Sequence, residues 1–173
     1  MSRYPITLLL LAACLGLTAC ETPNDDSDAA KKPAVVAVLV APKTANDAEW
    51  KTYLGQVINQ HMEGVTDRQT AYYLPANSTV VPPDASDGRS LFDRQAENVT
   101  TVISRTVLPG NMLSFGSPDS AKMADLMLSA FSGAKPDALR GSQVLFVGKA
   151  EDSSRVQAAV EASGAKYIFV EAK

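Results

Sequence analysis

Between Gln143 and Lys173 the chain reads as strand, helix, strand. Gln143–Val147 (QVLFV) and Lys166–Glu171 (KYIFVE) are short apolar runs rich in β-branched and aromatic residues. Between them Val156, Ala159 and Val160 face inward on a helix, with Asp152 as its expected cap and Gly164 at its end. Such a strand–helix–strand unit constrains the fold, because it builds a parallel sheet through a crossover helix.

The same alternation extends upstream. Ala34–Ala41 (AVVAVLVA) is a continuous apolar run without alternation, so it is expected to be a central strand covered on both faces, ended by Pro42. Thr44-Ala45-Asn46-Asp47 resembles a capping box. It opens a first helix on which Trp50, Tyr53, Leu54, Val57, Ile58, His61 and Met62 recur at helical spacing, with Gly64 as the stop. Thr70–Leu74 is a short second strand that sends Tyr72 and Tyr73 to opposite faces. A long Pro-, Ser- and Asp-rich loop, Pro75–Arg89, follows. Loops of that length are uncommon unless functional or disordered. Its Val80-Val81-Pro82-Pro83 run either packs on the sheet or presents a contact patch.

Leu91–Val107 is expected as the second helix, with Phe92, Ala96, Val99, Val102, Ile103 and Val107 on its apolar face. Met112–Phe115 is a third strand. Ser117 is the expected cap of a third helix, with Pro118 in its first turn and Gly133 at its end. Its many apolar residues predict that it is well covered. Lys135–Ser142 reads as a connection with one loose turn. Five strands alternating with four helices predict an α/β three-layer sandwich with a mostly parallel sheet, flavodoxin-like or Rossmann-like, over residues 34–173. A smaller α+β arrangement is the fallback if the second strand does not pair in parallel.

The N-terminus is of another kind. One positive charge at Arg3 precedes an apolar run from Ile6 to Leu17, which is the layout of a secretory signal. The run is too short for a bilayer, which needs about 20 apolar residues. Leu17-Thr18-Ala19-Cys20 resembles the lipobox of bacterial lipoproteins, a family defined by its signal and not by its fold. The resemblance covers residues 1–20. It implies removal of residues 1–19, a diacylglycerol on the Cys20 thiol and an acylated new amino terminus such as palmitate provides. Leu11-Ala12-Ala13-Cys14 has the same pattern, but cleavage there would leave a very short apolar run in the signal. The following residue is Glu21; in enteric lipoproteins an Asp there favours the inner membrane, so the resemblance implies the outer membrane, facing the periplasm. Residues 20–33 then hold the lipidated cysteine and a polar tether, ETPNDDSDAAKKP, with nothing large and apolar to bury. One acyl chain anchors marginally, at about 0.8 kcal/mol per buried CH₂; two or three hold firmly.

Charge narrows the partners. There are 16 basic and 19 acidic residues, and Arg3 leaves with the signal. An acidic domain without a basic stripe argues against nucleic acid, which is gripped by Lys and Arg on phosphates. No cysteine follows Cys20, so the domain has no disulfide and no C-x-x-C. With one histidine, His61, a His/Cys zinc site has no ligand set. No G-x-S-x-G elbow, no G-x-G-x-x-G and no phosphate-loop motif is present. No cofactor is expected. Asp84 and Asp87 read as solvated loop acids.

In a parallel sheet ligands bind beyond the carboxyl ends of the strands. There Gly116–Asp119 and Gly148–Asp152 pair a glycine with a helix start, whose amides attract anions. Lys43, Ser117, Asp119 and Lys149 are therefore the candidate ligand-binding residues, although the same residues are also ordinary helix openers. No catalytic constellation is legible. The sequence is expected to encode a membrane-anchored periplasmic lipoprotein whose domain holds an envelope protein partner. The alternatives are a small-anion receptor and an envelope hydrolase with an unfamiliar site.

Overall fold

The computed structural model describes residues 38–173. The expected signal, Cys20, the tether and the first four residues of the Ala34–Ala41 run lie outside the described residues. The remaining elements alternate as α1 (Asp47–Gln60), β1 (Gln69–Tyr73), α2 (Leu91–Ser104), β2 (Met112–Gly116), α3 (Ser120–Phe131), β3 (Gln143–Gly148), α4 (Ala150–Ala162) and β4 (Lys166–Glu171).

The four strands form one sheet in the order β1-β2-β3-β4, and every neighbouring pair is parallel. The short strand at Gln69–Tyr73 pairs with β2 over its full length, Tyr72 opposite Phe115. The α/β sandwich is thus the fold, and the α+β fallback is not needed.

Strand parity divides the core in two. Tyr72, Leu113, Phe115, Val144, Phe146, Tyr167 and Phe169 face a cluster built with α2, α3 and α4. Tyr73, Met112, Leu145, Val147, Ile168 and Val170 face the other side, where Trp50, Tyr53, Leu54, Val57 and Ile58 of α1 cover them. Tyr72 and Tyr73 take opposite faces, as strand geometry requires. Three right-handed crossovers stepping in one direction put three helices on one face. Of these, α3 lies between α2 and α4. That position explains its composition: Met123, Ala124, Leu126, Met127, Ala130 and Phe131 are all buried.

Four local expectations are corrected. Asn46, not Thr44, caps α1: its Oδ1 accepts the N–H groups of Ala48 and Glu49, while Thr44 Oγ1 donates to Glu49. Asp119, not Ser117, caps α3 through the N–H of Lys122. Lys149 occupies the cap position of α4, with Asp152 inside the first turn. Finally, α2 ends at Ser104, and Thr106 at φ 70° turns the chain so that Val107 still reaches the core.

The Ala34–Ala41 run is also corrected where it is described. Residues 38–41 are not a strand, and Val38 and Val40 are 92% and 68% exposed, not covered on both faces. The four described strands neighbour one another without a gap, so residues 38–41 do not lie among them as a strand. Ala41 instead donates its N–H to the Lys173 carbonyl, just beyond β4.

Candidate functional site

The carboxyl ends of the strands carry a cleft of about 160 Å³. Its lining includes Lys43, Trp50, Ser117, Ser120, Lys149 and Lys173. The chain reaches it from four directions: the segment before α1, the turn after β2, the turn after β3 and the end of the chain. Trp50 is the fixed wall. Its Nε1–H donates to the Thr44 carbonyl at 2.8 Å, and its ring stands edge-on to Tyr53 at 5.7 Å. Ser120 Oγ accepts the Lys149 N–H at 2.8 Å, which ties the start of α3 to the start of α4. A side chain at Gly148 would collide with Ser120 Oγ and the Phe146 ring, so a glycine is required for that approach.

Three of the four expected rim residues, Lys43, Ser117 and Lys149, meet around this cleft. Asp119 is not in its lining. Ser117 is buried, and its hydroxyl accepts the Asp119 N–H at 3.0 Å. Asp119 in turn places a carboxylate on the Lys122 amide in the first turn of α3, so the chain's own anion caps that helix start. The start of α4 has no side-chain cap, but Glu151 and Asp152 in its first turn complement its dipole. Lys173 is held by Glu171 at 2.7 Å, which raises the ammonium pKa. Lys43 and Lys149 are the remaining cationic side chains of the lining. Sequence reasoning misses Lys173 and Ser120. The position of Lys173 two residues beyond the last strand is the signal that places it on the rim.

His61 has a structural task. It follows the last turn of α1, and its Nδ1–H donates to the Val57 carbonyl at 2.8 Å, satisfying a free acceptor of the helix end. Ser117 follows β2 at the opposite end of the sheet, so the two cannot form a nucleophile–base pair. Among the described residues no group of three His, Cys, Asp or Glu side chains is arranged to hold a metal. No described helix is long and apolar enough to cross a membrane.

The Pro75–Arg89 loop is folded as successive turns, closed by Ser78, Val80, Ala85 and Gly88 N–H groups onto carbonyls three residues back. Phe92 N–H donates to the Ser78 carbonyl, fastening the first turn to the start of α2. Arg94 reaches Asp87 at 2.8 Å and Arg89 reaches Glu97 at 2.6 Å, fastening the last. Asp87 is therefore an ion-pair partner, and its carboxyl is held below the usual aspartate range by the Arg94 guanidinium. Between these two attachments Val80 and Val81 remain 62% and 46% exposed, which decides between the two readings of the apolar tip in favour of solvent.

Compared with known proteins, the chain matches no family, no curated protein and no solved structure.

Proposed function

We propose that this protein is a lipid-anchored component of the bacterial envelope whose α/β domain docks a protein partner. The anchor reading rests on Leu17-Thr18-Ala19-Cys20 and the polar tether behind it. It assigns the chain to the outer membrane, facing the periplasm. The observation that carries the docking reading is the Val80–Val81 tip. Two valines are left partly exposed on a loop whose flanks are fastened to α2, although covering the rest of each would be favourable by about 1 kcal/mol. Loops fastened to a rigid scaffold commonly carry recognition.

Two experiments test this reading. A photo-crosslinking amino acid at Val80 is expected to give one discrete adduct in intact cells, lost with Val81→Asp. The same probe at Gln157, exposed on α4, is expected to give none. Equal labelling at both sites, or none at Val80, rejects the docking surface. Mass spectrometry of the native protein is expected to find Cys20 acylated as the first residue, and Cys20→Ser is expected to release the domain from the membrane fraction. An unmodified chain beginning at Met1 rejects the anchor.

A second reading, a receptor for a small anion, is favoured by the meeting of Lys43, Ser117 and Lys149 around one cleft. Trp50 lines that cleft and is the single tryptophan, so its fluorescence reports occupancy. Titration with phosphate or sulfate is expected to change it saturably and to raise the unfolding temperature, both effects lost in Lys149→Ala. A flat titration rejects this reading.

A further inference from the structure

The outer edge of β1 is open. Met112 donates its N–H to the Arg68 carbonyl and Leu74 donates its N–H to the Gly116 carbonyl, so alternate residues from Arg68 to Leu74 face β2. In a parallel strand the N–H and C=O of one residue point the same way, and those of the next point the other way. Gln69, Ala71 and Tyr73 therefore turn their backbone groups away from the sheet, and among the described residues no backbone group meets them. Side-chain alternation puts the same three residues on one face. It is the face covered by α1, where Tyr73 packs.

A groove of about 410 Å³ lies along this edge, between Gln69, Ala71 and Tyr73 on one side and Lys51, Gly55 and Asn59 of α1 on the other. Three of its features serve nothing within the domain. Gly55 sits inside α1, where glycine is a poor helix former, yet a Cβ there would meet no atom within 4 Å. Packing does not require this glycine; its effect is to keep the groove wide. Gln69 Nε2 is buried without a hydrogen-bond partner, a costly state that an acceptor entering the groove would relieve. Lys51 Nζ lies 5.3 Å from the centre of the Tyr73 ring and is in no ion pair among the described residues. No carboxylate lines the groove. Asp47, one turn earlier on α1, is engaged by the Tyr73 hydroxyl at 2.9 Å.

We propose that this edge takes an extended, acidic segment of another protein as an added strand. Main-chain bonds to Gln69, Ala71 and Tyr73 hold such a segment, and alternate side chains enter the groove and select it. It carries an acceptor opposite Gln69, an apolar side chain opposite Ala71 and a carboxylate opposite Tyr73, beside Lys51. A second copy of this chain does not fill the site. Antiparallel pairing of two β1 strands in full register sets alanine against alanine at position 71, leaves the space at Gly55 empty and puts two Lys51 ammonium groups on one face. The surface is separate from the Val80–Val81 tip, and neither reading depends on the other.

Fluorescence anisotropy of a labelled peptide, Ser-Thr-Glu-Thr-Val-Thr-Glu-Thr-Ser, titrated with the full chain in detergent micelles tests the proposal. The peptide presents the same acid–apolar–acid face whichever way it runs. Saturable binding is expected, weakened about tenfold or more by Gly55→Leu, which fills the groove, and by exchange of both peptide glutamates for lysine. Gly55→Leu is expected to keep or raise the unfolding midpoint, since leucine favours helix. Ala71→Pro removes an outward N–H without removing a bond to β2, and is expected to weaken binding likewise. Val81→Asp is expected to leave binding unchanged, which separates this site from the loop tip. In the complex, hydrogen exchange is expected to slow at the Gln69, Ala71 and Tyr73 amides. A flat titration overturns the proposal, and so does binding that Gly55→Leu and Ala71→Pro leave intact. Slow exchange at those amides that follows protein concentration and not peptide gives the edge to a second copy and overturns it too.

Discussion

Ser120, the first residue of α3, accepts the backbone N–H of Lys149, the residue that opens α4, at 2.8 Å. A helix start that lacks a side-chain cap of its own is thus satisfied by a hydroxyl from its neighbour. Ser120→Ala leaves that partly buried N–H without its acceptor and is expected to cost about 1–2 kcal/mol. Gly148→Ala is expected to cost more, because its new methyl meets Ser120 Oγ and the Phe146 ring. Urea unfolding followed by Trp50 fluorescence measures both. Wild-type stability in Ser120→Ala would mean that the junction between α3 and α4 does not depend on this bond.

Leu139 behaves as core although it sits in a connection. It is fully buried, its N–H donates to the Ser163 carbonyl at the end of α4, and Ser142 Oγ donates to the Leu108 carbonyl in the turn before β2. Leu139→Ala is expected to destabilise the domain by about 2–5 kcal/mol, the range of a buried leucine truncation. Lys135→Ala, four residues earlier and exposed, is expected to change stability by less than about 0.5 kcal/mol. The difference between the two midpoints of urea denaturation decides whether the segment is a loose turn or a packed one.

That segment marks the limit of what the sequence makes legible. Periodicity finds the four helices and β1 to β4, because the side-chain pattern of a covered strand or helix is written locally. It misplaces the caps by a few residues because several competing groups lie together. Ser117 and Asp119 are both good caps by residue type, and only the burial of Ser117 under the rim leaves the role to Asp119. Lys149 is not a capping residue at all, and its helix starts there because Ser120 supplies the acceptor from another element. The Ala34–Ala41 run reads as central because composition reports apolarity and not position in the sheet. The rim is legible through Lys43, Ser117 and Lys149, whereas Lys173 and Ser120 join it only through the fold.

The start of α2 is expected to make stability depend on acid pH. Ser90 and Asp93 form a reciprocal capping box, and the Ser90 hydroxyl and N–H hold the Asp93 carboxyl below the ordinary 3.8. Arg94, with the Arg89 N–H, does the same to Asp87. A carboxyl with a lowered pKa in the folded state gives stability that is complete above about pH 4 and is lost as pH falls through the lowered value. Unfolding midpoints are therefore expected to drop on acidification below about pH 4, and Asp93→Asn is expected to flatten part of that slope. A slope unchanged by Asp93→Asn and Asp87→Asn would assign the acid sensitivity to other carboxylates.

The distance between α1 and the sheet is set at one point by Leu54 and Gly116. A Cβ built on Gly116 would lie 2.9 Å from Leu54 Cδ1 and 3.2 Å from Cδ2, closer than carbon atoms pack. Leu54 is 2% exposed and sits among Trp50, Val57, Leu145 and Val147, so it has little room to withdraw. Gly116→Ala is expected to cost about 1–3 kcal/mol by overpacking. Leu54→Ala is expected to cost about 2–5 kcal/mol by opening a cavity. The added methyl of the first partly fills the space vacated in the second, so the double variant is expected to be less destabilised than the sum of the singles. Four urea curves give the cycle. Additive costs would place the strain of Gly116→Ala in the backbone of β2, and α1 would then be free to ride at another height over the sheet.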